Sequence, residues 1–224
     1  MIIFDWDDVF IMGAIQGHFA CYRQALVDIG MEPDQAELER TVTYLWGRPH
    51  QVIFQALLDS EHKADLAAAV GRYQTYKDSK VFLSKLQFVS GGQEFLRNLA
   101  QHYTLALATS QQRKLLVQRI FPLFQVPDVF STIMSSHDFN DPGQAKPSPY
   151  MVEEIMRTHA AKQAETIVVG DAKNDVLMAQ AAGVKPVVVL TGHLTEQQAK
   201  ELGVQHIIPD VIQLESVLQA LRTE

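Results

Sequence analysis

The stretch TIVVGDAKNDVLMAQAAGVKPVVVLT (166–191) decides the fold. It opens on a short apolar run, TIVVGD (166–171). It then passes through a helical pattern, KNDVLMAQAAG, and returns to a second apolar run, KPVVVLT (185–191). Both runs are short, rich in β-branched residues and apolar at nearly every position, as strands covered on both faces are. Two such runs joined by one helix form a parallel crossover unit. Gly183 stands where the helix has to stop, a position that favours glycine.

The same alternation extends outward in both directions. Upstream lie YTLALAT (103–109) and STIMSS (131–136), and downstream lies VQHIIP (204–209). The helical patterns QQRKLLVQRIF, SPYMVEEIMRTHA, TEQQAKELG and VIQLESVLQAL fall between or after them, and Gly203 ends one of these as Gly183 does. The expected class is α/β, a doubly wound parallel sheet. The opening MIIFD is a further strand of this kind, about a hundred residues ahead of its partners. The segment between has helical spacing: AIQGHFACYRQALVDIG, QAELERTVTYLWG, HQVIFQALLDS and HKADLAAAVGRYQTYKDSKVFLSKL. We therefore expect an α/β core of residues 1–13 and 87–224, with an all-helical domain, 14–86, inserted after the first strand.

The composition, 47% apolar and 20% charged, suits a packed globule. No apolar run reaches the ~18 residues of a membrane span. MIIFDWDDVF lacks a basic leader and meets acidic residues at once, so a signal peptide is not expected. Cys21, the single cysteine, has no internal partner and fits a reducing, cytoplasmic setting as a small buried residue. The net charge of −7 carries no basic cluster, so neither nucleic acid nor membrane is an expected partner. An acidic chain that handles an anion needs a local positive device.

In a parallel sheet, ligands bind at the carboxyl ends of the strands. Asp5 and Asp7 follow the first strand. A carboxylate there suits a nucleophile, and a second two residues on suits proton transfer; the plainer alternative is an acidic turn. Thr109 and Ser110 follow the second strand as candidate phosphate ligands, or as ordinary helix caps. Lys146 opens KPSP, where two prolines stiffen its backbone; it suits an anion, or is a solvated loop lysine. Asp171 and Asp175 follow the fourth strand. If the helix starts at once, their i, i+4 spacing places them on one face, as an Mg²⁺ site needs. Together, four carboxylates at one sheet edge repel one another unless a cation lies among them.

These clusters, in this order, resemble the motifs of the haloacid dehalogenase-like hydrolase superfamily. FDWDDVF, LALATS, KPSP and VVGDAKNDVLMAQAAG resemble its motifs one to four, and 14–86 resembles the helical cap of many members. The resemblance implies that Asp5 attacks phosphorus to form an aspartyl-phosphate and that Asp7 is general acid, then base. It implies that Asp5, the Asp7 carbonyl and Asp171 ligate Mg²⁺, with Asp175 in support, and that Thr109 and Lys146 hold the phosphoryl group. Asp7 favours phosphate chemistry over dehalogenation. Two positions depart from the pattern. Asp8 stands where glycine is usual and is read as a solvated turn residue. Trp6 stands where leucine or methionine is usual, as a core anchor or a wall of the substrate pocket.

In the inserted segment, Gly47-Arg48-Pro49-His50 follows the aromatic Tyr44 and Trp46, and Arg48 is a candidate for binding a substrate anion. Zinc is not indicated, since the remaining histidines form no metal-like pair. Gly91-Gly92 reads as a turn. The expected function is Mg²⁺-dependent hydrolysis of a small phosphorylated metabolite by a monomer or homodimer. The alternatives are a phosphomutase like β-phosphoglucomutase and a catalytically silent phospho-ligand sensor.

Overall fold

The computed structural model describes residues 1–46 and 49–221. The chain divides into two compact units, Met1–Met12 with Phe88–Glu224, and Gly13–Gln87. Strands β1 (Ile2–Phe4) and β2 (Ile11–Met12) come first. Helices α1 (Ala14–Val27), α2 (Gln35–Tyr44), α3 (His50–Leu57), α4 (Leu66–Lys77) and α5 (Lys80–Leu83) follow. Next come β3 (Gln87–Phe88), α6 (Gly92–Ala100), β4 (Leu105–Thr109), α7 (Arg113–Leu115), α8 (Phe121–Phe124) and β5 (Phe130–Ser135). The rest is α9 (Tyr150–Thr158), β6 (Ile167–Gly170), α10 (Lys173–Ala181), β7 (Lys185–Val189), α11 (Glu196–Glu201), β8 (His206–Ile208) and α12 (Leu214–Leu221). Among the described residues, no helix is long and apolar enough to cross a membrane.

The first unit is a six-stranded sheet of order β5-β4-β1-β6-β7-β8. All its neighbours run parallel, so the α/β expectation holds. The chain winds outward from β1 through β4 to β5, then returns to the other side of β1 at β6. That reversal is where a doubly wound sheet opens a binding crevice. The register places Phe4 beside Leu107 and beside Val169, so the residues just after β1, β4 and β6 emerge at one edge. On one face Ile3, Ala106, Ala108 and Val168 pack against Met151, Val152 and Ile155 of α9 and Met178 and Ala179 of α10. Each buried Ile, Val or Met side chain there contributes about 1.5–3 kcal/mol, which holds the strand ends in place.

Two helical patterns differ in detail from the sequence reading. QQRKLLVQRIF is helical but not α-helical throughout: a π-helical turn, Leu116–Ile120, runs without a break between α7 and α8. Pro122, in the first turn of α8, has no N–H to continue the ladder. The long pattern 62–86 divides into a 3₁₀ turn (Lys63–Asp65), α4 and α5. Ser79 makes the break between the helices, since its hydroxyl accepts from Val81 N at 3.1 Å and starts a new helix. Gly183 and Gly203 do close helices in the left-handed region, with φ of 71° and 77°. The second unit is helical and packs Tyr22 on Tyr73 at 4.5 Å, with His50 4.3 Å from Tyr73. Cys21 is buried in it.

Candidate active site

The chain makes a tight turn directly after β1. Phe10 N donates to Trp6 O at 3.0 Å and Asp8 N to Ile11 O at 2.7 Å. Closing it puts Asp8 in the left-handed region, at φ 54°. Glycine adopts that conformation freely and aspartate is among the few side-chain-bearing residues that tolerate it, which accounts for both residue types at this position. Trp6 turns inward. It is fully buried, with ring centroids 4.9 Å from Phe121, 5.6 Å from Phe10 and 6.0 Å from Phe88. Of the two readings of Trp6, the anchor fits: four phenylalanine rings, Phe10, Phe88, Phe121 and Phe130, surround it.

Asp5 faces the sheet edge, with its N–H on Val169 O at 2.9 Å. Lys146, from the loop before α9, reaches it with Nζ 2.8 Å from Asp5 Oδ1, and the same ammonium lies 2.6 Å from Asp175 Oδ1. Lys146 is therefore a buried bridge between two carboxylates, and the solvated-loop alternative is excluded by its side-chain exposure of 5%. Burial alone would lower its pKa, but Asp175 and Asp5 more than reverse this and keep it charged. Burial pushes the Asp5 carboxyl well above its usual range; Lys146 pulls it back, and Asp175 and Asp171 push it up again.

Asp171 and Asp175 do converge, but not as two residues on one helical face. The helix begins at Lys173 with Ala172 as its cap, so Asp171 still belongs to the strand end. Asp175 turns back, and its Oδ2 accepts from Ala172 N at 3.1 Å. Gly170 makes room for this, since a Cβ there would stand 2.4 Å from Asp175 Cβ. Carboxylate oxygens of Asp5, Asp171 and Asp175 lie within 4.8 Å of one another. Three acids around one ammonium leave the cluster short of positive charge. Hard oxygen donors with that deficit suit a cation such as Mg²⁺.

Thr109 ends β4 fully buried, and its Oγ1 accepts from Gln111 N at 3.0 Å. Ser110 is exposed. Gln111, not identified from the sequence, is buried and donates from Nε2 to Asp7 Oδ2 over a long 3.4 Å. Its amide orientation is fixed because Oε1 accepts from Gln112 N at 3.2 Å. Ser135, at the end of β5, ties down the same loop by donating from Oγ to Gln111 O at 2.7 Å. Arg48 lies outside the described residues.

The loop after β7 completes the edge. Thr191 Oγ1 donates to Asp8 O, and His193 donates to Asp171 Oδ2 from its backbone N at 2.9 Å. His193 Nδ1 also lies 2.8 Å from that oxygen. Asp8 is thereby half-buried beside Asp171 and His193, and not the solvated turn residue expected. Burial, then the charges of Asp171 and Asp7, raise its pKa to about 7. The hydrogen bond to Asp171 raises that of His193.

Similarity to known proteins agrees with this geometry. The sequence profile of the haloacid dehalogenase-like hydrolases matches residues 2–189. The chain belongs to this family and is an enzyme, a hydrolase. It is 26% identical over 164 residues to the pyrophosphatase PpaX of Halalkalibacterium halodurans, covering 71% of this chain and 73% of that one. It is 32% identical over 83 residues to a phosphoglycolate phosphatase of Aliivibrio fischeri, covering 37% of this chain and only 35% of the relative. The structure of a predicted phosphoglycolate phosphatase from Haemophilus somnus superposes with a TM-score of 0.79 at 20% identity, covering 98% of this chain and 97% of that one.

Proposed function

We propose that the protein is a Mg²⁺-dependent phosphatase of small phosphomonoesters that works through an aspartyl-phosphate on Asp5. The observation that carries this is the buried Lys146 ammonium, 2.8 Å from Asp5 Oδ1, with carboxylate oxygens of Asp171 and Asp175 within 4.8 Å of that of Asp5. Asp5, Asp171 and the Asp7 carbonyl would hold the cation, with Asp175 supporting them through Lys146. When bound, Mg²⁺ supplies positive charge that offsets the phosphoryl oxygens.

The residues divide the remaining work. An Asp5 oxygen attacks phosphorus while the bond to the leaving oxygen breaks, and Asp7 gives that oxygen its proton. Asp7 then takes a proton from water, which attacks phosphorus and releases Asp5 and inorganic phosphate. Gln111 steadies the Asp7 carboxylate from a fixed amide. Thr109, whose hydroxyl oxygen already accepts from Gln111 N, has its own O–H left to donate to a phosphoryl oxygen, and Ser110 stands beside it. The relatives' names, pyrophosphatase and phosphoglycolate phosphatase, support a small phosphorylated metabolite as substrate.

A phosphate-release screen over phosphorylated metabolites and an aryl phosphate tests this. Asp5→Asn should abolish turnover, and Asp7→Asn should lose about 10²–10⁴-fold. Retained activity in both variants would overturn the mechanism. Failure of the wild type to release phosphate from any substrate would leave a binding protein.

A further inference from the structure

The strand end after β7 holds a histidine in contact with a carboxylate of the site. We propose that His193 is a positioning residue for Asp171, holding one carboxylate oxygen so that the other is presented to the cation. This rests on the metal-dependent reading above.

Asp171 Oδ2 receives two donors from one residue, His193 N at 2.9 Å and His193 Nδ1 at 2.8 Å. A carboxylate only accepts, so Nδ1 carries the proton. Leu194 N donates to Asp171 O at 2.9 Å, which clamps the loop to the same residue through its backbone. Among the described residues, no hydrogen bond reaches Asp171 Oδ1. Gly192 supplies an independent sign of the fit: a Cβ there would lie 1.9 Å from Asp171 Oδ2, so only a glycine lets the loop come this close. Asp8 lies beside the pair, with a carboxylate oxygen within 4.8 Å of an Asp171 oxygen and a His193 ring nitrogen. Asp171 is buried, but His193 is 48% exposed in its side chain, so replacing the imidazole leaves the core intact.

Hydrogen bonds to a ligating carboxylate are worth 10–100-fold in metal affinity. The backbone donor survives any substitution, so the lower figure applies. Binding of Mn²⁺ to the full chain, followed by electron paramagnetic resonance and displaced by Mg²⁺, reads the effect without turnover. His193→Ala should weaken binding about tenfold, with kcat recovered at saturating Mg²⁺. His193→Asn, whose amide can donate in place of Nδ1, should restore most of the affinity. Wild-type affinity in His193→Ala, while Asp171→Asn has lost binding, overturns the inference and leaves the metal reading standing. A kcat that saturating metal does not recover also overturns it, since the ring would then serve the chemistry itself. A wild type that binds no Mn²⁺ overturns the metal reading, and the inference with it.

Discussion

Replacing Lys146 with methionine removes the ammonium that lies among two buried carboxylates and a partly buried one, and keeps most of the stem's volume. The ammonium makes contacts of 2.8 Å to Asp5 and 2.6 Å to Asp175, with only 5% of the side chain exposed. Removing one partner of a buried ion pair costs about 3–5 kcal/mol, because the charge left behind is neither solvated nor paired. Here two carboxylates lose their partner, so the upper half of that range applies at pH 8. Asp5, whose carboxyl burial pushes well above its usual range, can escape by taking up a proton, and each pH unit below that raised pKa returns about 1.4 kcal/mol. The deficit should therefore shrink steadily from pH 8 towards pH 4. Urea unfolding of wild type and Lys146→Met in chelator, at pH 4, 6 and 8, measures it. A loss below about 1 kcal/mol at pH 8, or a loss that does not change with pH, would refute the charge argument and leave only packing of the stem.

Two further outcomes follow from the same edge. Trp6→Ala should cost about 3–5 kcal/mol in urea unfolding with KM for any substrate unchanged, because the ring fills the core and presents no surface; a changed KM with unchanged stability would restore it to the pocket. Asp8 ionises in the fold at about 7 instead of 3.8, so its charge costs nothing below pH 4, costs progressively more up to pH 7 and carries its full cost above. Asp8→Asn, which keeps the left-handed turn, should leave the metal-free urea midpoint unchanged at pH 4 and raise it at pH 8; equal effects at both would overturn the assignment.

Much of this edge could be read from residue order alone. TIVVGD and KPVVVLT are apolar at nearly every position, and that pattern points to a sheet covered on both faces. Asp5, Lys146, Asp171 and Asp175 could be picked out because polar residues after such strands have one edge to go to. The limits came where tertiary geometry overrides local pattern. Asp171 and Asp175 meet because the second acid folds back to cap Ala172, which spacing does not encode. Trp6 next to Asp5 looks like a pocket wall until the turn closing on its carbonyl points the ring inward. His193 was within reach of the same reasoning, since it lies just beyond the strand run KPVVVLT as Asp171 lies at the end of TIVVGD. Gln111 was not, because only packing by Ser135 and Gln112 makes a surface-type residue a fixed buried donor.

Strand β1 is made first and stands between two strands made much later, pairing through Ile2 with Leu105 on one side and Ile167 on the other. At a synthesis rate of about 5–20 residues per second, its second partner emerges roughly 10–30 s after it does. Until β4 emerges the Ile-Ile-Phe segment has no sheet to enter, and until β6 emerges one of its edges stays unpaired, while α1 to α5 can already find one another. The order in which the chain leaves the ribosome thus favours maturation of the inserted unit ahead of the catalytic one. Asp5, the proposed nucleophile, waits until nearly two thirds of the chain is made before Lys146 can face it, and longer for Asp171 and Asp175.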